Sequence, residues 1–562
     1  MATAARRTAI LLVALLGCAH RQAAGQGSAD SRWVPAARLT GPDLVRPVLV
    51  PAHPAPARPG PEVDRRLARF AGAWEGTWSD GSASVLVVLS VRAREARLLL
   101  AMDGGGDLSH PGWHEFAIGA LAAEPEPTLT WRDGASTTTL TLGEDGRLAG
   151  HIEGPKESMT ASLRRRAVEL RAGPPDEAPL VCPTFAPEAA AIAGESDPAR
   201  RARRADALVE RARAAGGPLI GPGRAPGTGC ATFLWRGEAA YVAVASDLNG
   251  WSRARDLMAR LPGTDLFHAG FELPEDARVD YKLRPDGHWA LDPLNPRTMT
   301  GGYGPNSELR MPAYRPPAEV ERRLGIPAGT VEPLTLRSRH LGNGRKARIY
   351  LPPGYADTAE RYPVAYLHDG DDELDFGALD AILDNLIAAR ALPPLIAVLV
   401  PPVRRDEEYR RDPAFEAFFL EEVVPAVDAR YRTRATPAGR VVGGISLGGL
   451  AAVSLALGHP EVFGGCISQS GAFGAKLAGL LELAAAAPPP PGPRPRVWLD
   501  VGRFESVMDG RDLLRESRRL RDALSAGRFQ VGYLEVPEGH SWGSWRARIG
   551  QAIAFALAGA AP

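Results

Sequence analysis

The sequence predicts an α/β protein in which a C-terminal unit of alternating strands and helices follows two all-β units. Three observations carry this. From about residue 333 onward, apolar strand-like runs (Arg348–Leu351, Val364–His368, Leu395–Val400, Val497–Val501 and Val531–Val536) alternate with helical stretches, the pattern of a layered α/β fold. Residues 66–166 and 228–314 instead carry short strand-like runs separated by Gly, Asn-Gly and Asp-Gly turns. The chain has 562 residues, too many for one domain at roughly 100–200 residues each.

Composition removes several function classes. Hydrophobic residues make up 45% and charged residues 23%, ordinary values for globular protein. Lys+Arg and Asp+Glu are both 66, so the formal net charge is zero, without the basic excess of a nucleic-acid binder. Four Cys exclude a disulfide scaffold and leave little material for a Cys-based metal cluster. No metal and no organic cofactor is expected.

Residues 1–17 read as an export leader. Arg6 and Arg7 precede the apolar run Thr8–Leu16, which is too short for the ~20 residues that span a bilayer. The run ends in Leu15-Leu16-Gly17-Cys18, which resembles a bacterial lipobox and implies acylation of Cys18; the other reading is an ordinary secretory signal with an incidental Cys. Removal of the leader takes Arg6 and Arg7 and leaves a net charge of −2. Ala19 after the Cys favours the outer membrane, on its periplasmic side, as the site of anchoring. Residues 18–65, with Pro51, Pro54, Pro56, Pro59 and Pro61, read as an extended tether.

Residues 66–166 predict a small barrel, with strands at Ser84–Val91, Arg97–Met102, Thr128–Arg132, Thr137–Leu142 and Ala161–Arg164. The early Gly72-Ala73-Trp74 resembles lipocalin-like barrels, which implies either a ligand cavity or a structural spacer. Residues 167–227 form a linker with one helix, capped by Asp197, begun at Pro198 and ended at Gly216-Gly217. Ala205, Leu208, Val209 and Ala212 supply its apolar face; its Arg cluster (Arg200, Arg201, Arg203, Arg204) is either an anion attractor or a solvated face. Cys182 and Cys230 flank this region and can pair in an oxidising compartment.

In residues 228–314 the expected strands are Ala231–Trp235, Tyr241–Ala245, Leu266–Phe271 and Val279–Leu283. Three phrases stand out: Ser246-Asp247-Leu248-Asn249-Gly250-Trp251, Arg260-Leu261-Pro262-Gly263-Thr264-Asp265, and Trp289-Ala290-Leu291-Asp292-Pro293-Leu294-Asn295-Pro296. They resemble the N-terminal immunoglobulin-like, early-set domain of enterochelin esterases. The resemblance implies a β-sandwich in which Trp251 either packs inward or stacks on a sugar.

The chemistry lies further on. Gly444-Ile445-Ser446-Leu447-Gly448 is Gly-x-Ser-x-Gly between a strand and a helix (Leu450 to about Leu457), where small residues permit the sharp bend that exposes the hydroxyl. A Ser hydroxyl needs a base. Only His459 and His540 follow it; His459 stands at the far end of the same helix, leaving His540 in Gly539-His540-Ser541-Trp542. Glu505, just beyond the Val497–Val501 strand, is the candidate orienting acid, with Asp509 as the alternative; Asp500, inside the strand, suits the role less. A helix is expected at Ala414–Ala429 and another at about Trp545–Leu557.

Residues 333–558 resemble the esterase-D and enterochelin-esterase branch of the α/β-hydrolases. The matching phrases are Tyr366-Leu367-His368-Asp369-Gly370, Gly444-Ile445-Ser446-Leu447-Gly448-Gly449, Ser468-Gln469-Ser470-Gly471 and Gly539-His540-Ser541-Trp542. The resemblance implies backbone oxyanion donors at Leu447 and Asp371, and a substrate-binding role for Trp542. His368 precedes the Ser, against the chain order of the fold, and reads as a strand-end residue. Arg405, in Arg404-Arg405-Asp406-Glu407-Glu408-Tyr409, is either a contact for an anionic substrate or half of an ion pair. The implied function is hydrolysis of a small-molecule ester, with a catecholate siderophore ester, bound to iron, as the substrate of that branch. The competing readings are an esterase or acyltransferase on acylated polysaccharide or lipid, and a non-catalytic envelope binding protein.

Overall fold

The computed structural model describes residues 37–39, 48–50, 56–79, 82–102, 113–133, 136–154, 158–166, 180–239, 241–251, 256–485, 494–507 and 512–558. The leader, Cys18 and Asp509 lie outside them.

The C-terminal domain is built on an eight-stranded sheet. Its strands are β1 (Thr330–Arg337), β2 (Gly344–Leu351), β3 (Val364–His368), β4 (Ile396–Val400), β5 (Arg440–Ile445), β6 (Gly465–Gln469), β7 (Arg496–Gly502) and β8 (Val531–Val536). They lie in the order β1-β2-β4-β3-β5-β6-β7-β8. The first three are joined antiparallel and the rest parallel. Helices cover both faces, so the central strands read as continuous apolar runs. Alternate residues divide between two cores: Val364 and Tyr366 join Val398 and Val442, while Ala365 and Leu367 join Leu399, Val441 and Ile553.

Two helices differ from expectation. The run from Pro413 to Arg430 is helical throughout but widens at Phe419–Val423, where the Val424 N–H reaches back to the Phe419 carbonyl. Pro425 follows at once; it has no N–H and its ring crowds the carbonyl four residues earlier, so the turn opens. The expected helix at Trp545–Leu557 is two, Trp542–Trp545 and Ile549–Leu557. Between them Arg548 turns its side chain into the sheet, where it binds Asp500 and Ser544.

Residues 219–310 form a β-sandwich of two four-stranded antiparallel sheets. One contains Thr228–Arg236 and Leu266–Pro274, the other Val242–Ser246, Arg278–Pro285 and Gly304–Arg310. Phe233 sits between Phe271 and Tyr281 in edge-on contacts of 5.3 and 4.7 Å, geometry that favours the ring quadrupoles. The helix Pro198–Ala215 precedes it, with the Asp197 carboxylate accepting from Ala199 N–H and Gly216 closing it at φ 77°. Ala205, Leu208, Val209 and Ala212 are its buried face. Arg200 and Arg204 pair with Glu195, so the Arg cluster is tied to its own helix start. Cys182 and Cys230 are joined in a disulfide.

The N-terminal all-β unit is a closed eight-stranded barrel. Three of its strands, Gly72–Thr77, Trp113–Ala122 and Leu148–Glu153, lie outside the five expected from sequence; each holds a single β-branched residue beside Gly and Ala, so none shows a strand-like run. The expected tether over 18–65 departs from a plain extended chain. Ala37–Leu39 pairs with Val48–Val50, Ala57 donates to the Leu89 carbonyl at 2.7 Å, and Val63 joins the barrel core. Overall Pro and Ala content concealed the local Val48-Leu49-Val50 run, which suits a strand.

Candidate active site

All the candidate groups stand at the carboxyl ends of parallel strands, where open α/β sheets place their sites. Ser446 follows β5, Ser470 follows β6, Glu505 follows β7 and His540 follows β8. Ser446 has φ 57° and ψ −118°, a backbone that L-residues rarely hold and that costs about 1–3 kcal/mol. Glycines make the bend possible. A Cβ on Gly444 would lie 2.5 Å from the Gly448 backbone, and one on Gly449 would lie 2.5 Å from Ser468 Oγ. The Ser446 N–H donates to the Gln469 carbonyl at 2.9 Å, and the Ser446 carbonyl accepts from Ala472 N–H at 3.0 Å. The helix Leu447–Gly458 begins at the bend, so its first amides point toward the hydroxyl end without helical partners.

His540 Nδ1 lies 2.8 Å from Glu505 Oε2. Glu505 is 0% exposed, and its other oxygen accepts from Ser470 Oγ at 2.7 Å and Gly502 N–H at 2.8 Å. These donors leave one carboxylate oxygen for the imidazole, which fixes the tautomer that leaves Nε2 as an acceptor. The Trp545 indole donates to Ser470 Oγ at 2.8 Å, and its ring meets His540 edge-on at 4.8 Å. The sequence alone assigns no role to Ser470 or Trp545; the signal for Ser470 is its place in Ser468-Gln469-Ser470-Gly471.

The competing carboxylate Asp500 is otherwise engaged. It accepts from Trp498 Nε1 at 2.7 Å, Gln469 Nε2 at 3.2 Å and Arg548 Nε at 3.0 Å. Asp509 lies outside the described residues. His459 is held by Glu416 at 2.6 Å and Glu461 at 3.0 Å. His368 is fully buried among Tyr409, Phe415 and Phe419. Burial, with the Arg405 charge nearby, lowers its pKa to about 3, so it stays a neutral packing group.

Asp371 stands in the first turn of the helix Gly370–Asp375, directly after β3. Asp369 before it adopts φ 56°, with its N–H donated to the Tyr409 hydroxyl at 2.9 Å. Arg405 grips the Asp369 carboxylate through Nε at 2.8 Å and an Nη at 2.7 Å, and reaches the Ile445 carbonyl at 3.4 Å. The ion-pair alternative for Arg405 is therefore occupied; the pair links the loop before Asp371 to the residue before Ser446. Bonding to Asp369 outweighs desolvation and keeps the guanidinium charged. Trp542 is 8% exposed and packs with Met299, Ile445 and Trp545, so most of its ring serves packing. Trp251 is half-buried and its Nε1 donates to Asp247 at 3.1 Å, while Trp289 beside it is 48% exposed under Arg284.

Among the described residues no group of His, Cys, Asp and Glu has the arrangement of a metal site. The arrangement that is present, a strained Ser at a helix start and an imidazole anchored by a buried carboxylate, is suited to acyl transfer.

Comparison with known proteins places the C-terminal domain among esterases. Residues 338–556 match the family model described as "Putative esterase", and residues 230–291 match that of the enterochelin esterase N-terminal domain. The iron(III) enterobactin esterase of Dickeya dadantii is 29% identical over 290 residues, 43% of this chain and 66% of that protein. That of Escherichia coli K12 is 28% identical over 330 residues, 57% of this chain and 76% of that protein. An endo-1,4-beta-xylanase/feruloyl esterase of Xylanibacter ruminicola is 31% identical over 156 residues, 25% of this chain but only 22% of that protein. The fold is shared with the crystal structure of ferric enterobactin esterase from Salmonella typhimurium, at TM-score 0.53 and 23% identity, over 61% of this chain and 97% of that one. The enterobactin esterase from Shigella flexneri, solved in the presence of enterobactin, gives TM-score 0.51 and 24% identity over 60% of this chain and 95% of that one.

Proposed function

We propose that this chain, a member of the enterochelin esterase-like family, is a serine carboxylic-ester hydrolase with Ser446 as nucleophile, His540 as base and Glu505 as orienting acid. The observation that carries the reading is the 2.8 Å contact between His540 Nδ1 and the buried Glu505 carboxylate, at the same sheet edge as Ser446. His540 takes the Ser446 proton as the oxygen attacks the ester carbonyl, and Glu505 stabilises the imidazolium. The amides of Leu447 and Asp371, each in the first turn of a helix, donate to the oxyanion. His540 returns the proton to the leaving alcohol, then activates the water that releases the acyl group from Ser446. Arg405 holds the two donor-bearing loops together and Trp542 borders the site beside His540. The sandwich we read as an immunoglobulin-like module.

The substrate class we infer is a catecholate siderophore ester of the enterobactin kind. The paired modules at residues 230–291 and 338–556 support it, as do the relatives named as enterobactin esterases. The test compares the protein without its leader with Ser446→Ala on a ferric catecholate trilactone and on a short-chain aryl ester. Cleavage of the trilactone, lost in Ser446→Ala, is expected. Cleavage of the aryl ester alone moves the substrate to other esters, and full activity in Ser446→Ala overturns the mechanism. Glu505→Ala should slow turnover less than Ser446→Ala does.

We further propose that acylated Cys18 anchors the protein at the periplasmic side of the outer membrane. Among the described residues no helix is long and apolar enough to cross a membrane. Incorporation of a labelled fatty acid, lost in Cys18→Ser, is expected; label retained in that variant refutes the anchor.

A further inference from the structure

We propose that the β-sandwich holds the His540 loop in its working position, with Arg278 as the positioning residue acting through Ser541. The inference rests on the reading of His540 as the base.

Arg278 lies on the sandwich strand Arg278–Pro285 and is fully enclosed, its side chain 1% exposed. Its Nε binds Glu308 at 2.5 Å, one Nη binds Asp280 at 2.7 Å, and the other donates to Ser541 Oγ at 2.9 Å. Its backbone N–H donates to the Pro537 carbonyl at 3.1 Å. One residue therefore bonds the loop on both sides of His540. A buried guanidinium is costly unless every donor finds a partner. Two carboxylates from its own domain balance the charge and hold the fork in one plane, while the other Nη donates toward the residue after His540.

The glycines around His540 point the same way. A Cβ on Gly539 would lie 2.1 Å from Asp247 Cγ, and one on Gly543 would lie 2.0 Å from an Arg278 Nη. Two sandwich side chains thus press against the loop at the two places where it has no side chain. Asp247 is itself fixed, accepting from Asp280 N–H at 2.8 Å and Trp251 Nε1 at 3.1 Å. The phrase Ser246–Trp251 therefore supports the His540 loop. The sandwich also reaches the acid: Phe504, next to Glu505, packs into the sandwich core with Phe233 and Tyr281. Its N–H donates to the Glu538 carbonyl at 3.3 Å. Base and acid are thus braced from one neighbouring domain. Small errors in the placement of such groups cost large factors in rate.

The test uses the full chain without its leader on a short-chain aryl ester, whose small size keeps it from needing sandwich contacts. Arg278→Met and Ser541→Ala are each expected to lower kcat, the first by about tenfold or more and the second by about threefold to tenfold, with KM changed less than about twofold. The double variant should be no slower than Arg278→Met alone, because both remove one linkage. If Arg278→Met does not fold, Ser541→Ala, which removes a single oxygen, is measured with Gly539→Ala, and both must lower kcat. Unchanged kcat in Ser541→Ala, or fully additive losses in the double variant, overturns the proposal. His540→Ala separates the two levels: if it stays active the base assignment fails, whereas an inactive His540→Ala beside wild-type rates in the other variants refutes the positioning role alone.

Discussion

The two β domains handle their buried charges differently. In the barrel, buried Glu75 takes Arg164 at 2.6 Å and also Arg166, both on the adjoining barrel strand. Trp74 and Trp78 likewise donate within the barrel, to the Phe70 carbonyl and Ser84 Oγ. In the sandwich, Arg278 spends one donor on a residue 263 positions away, in the catalytic domain. A buried polar group that is satisfied locally serves its own fold. One that reaches across a boundary fixes the relation between two parts, and here one of those parts carries the proposed base.

Matched core truncations sharpen this contrast most. Trp74→Ala and Phe233→Ala each remove a fully buried ring and should each cost about 3–5 kcal/mol of stability. The sandwich variant should also lower kcat on an aryl ester, whereas the barrel variant should leave kcat and KM unchanged. Calorimetry and steady-state kinetics on the same samples check both halves; an equal loss of kcat in Trp74→Ala would break the comparison.

A smaller effect is expected from the Cys182–Cys230 bridge, which closes a loop across a sequence separation of 48. Opening it in Cys182→Ser should destabilise the sandwich by about 2–4 kcal/mol and leave the barrel's unfolding transition where it was. A shift of both transitions together would mean that the two domains unfold as one.

A further effect is set by pH. Burial lowers the His268 pKa to about 4. An unfolded imidazole near 6.5 binds a proton that the native one refuses, so this contribution is complete above about pH 6.5 and fades as pH falls toward 4. Urea midpoints of the sandwich transition should drop over that window, and less steeply in His268→Leu. Identical slopes in the two proteins would remove His268 from the explanation.

The site was more legible in the sequence than its support. Ser446, Glu505 and His540 could be picked out as candidates because each stands in a local phrase or just past an apolar strand. Asp500 could be set aside because it lies within β7, and the structure finds it bound to Arg548, Trp498 and Gln469. Arg278 carried no local signal: its meaning depends on Ser541, and no periodicity links residues so far apart. The strand Trp113–Ala122 is not legible in the sequence because its Ala and Gly residues lack β propensity, and closure of the barrel supplies what propensity does not. Trp542 reads from sequence as a substrate contact, yet its ring fills a space between Met299 and Ile445 that exists only once the sandwich is docked.

The most direct test of the central claim is labelling of the intact protein with an active-serine phosphonate, followed by peptide mapping. The account predicts one adduct, on Ser446, formed more slowly in His540→Ala and absent in Ser446→Ala. No adduct in the wild-type protein, or an adduct on another residue, would contradict it.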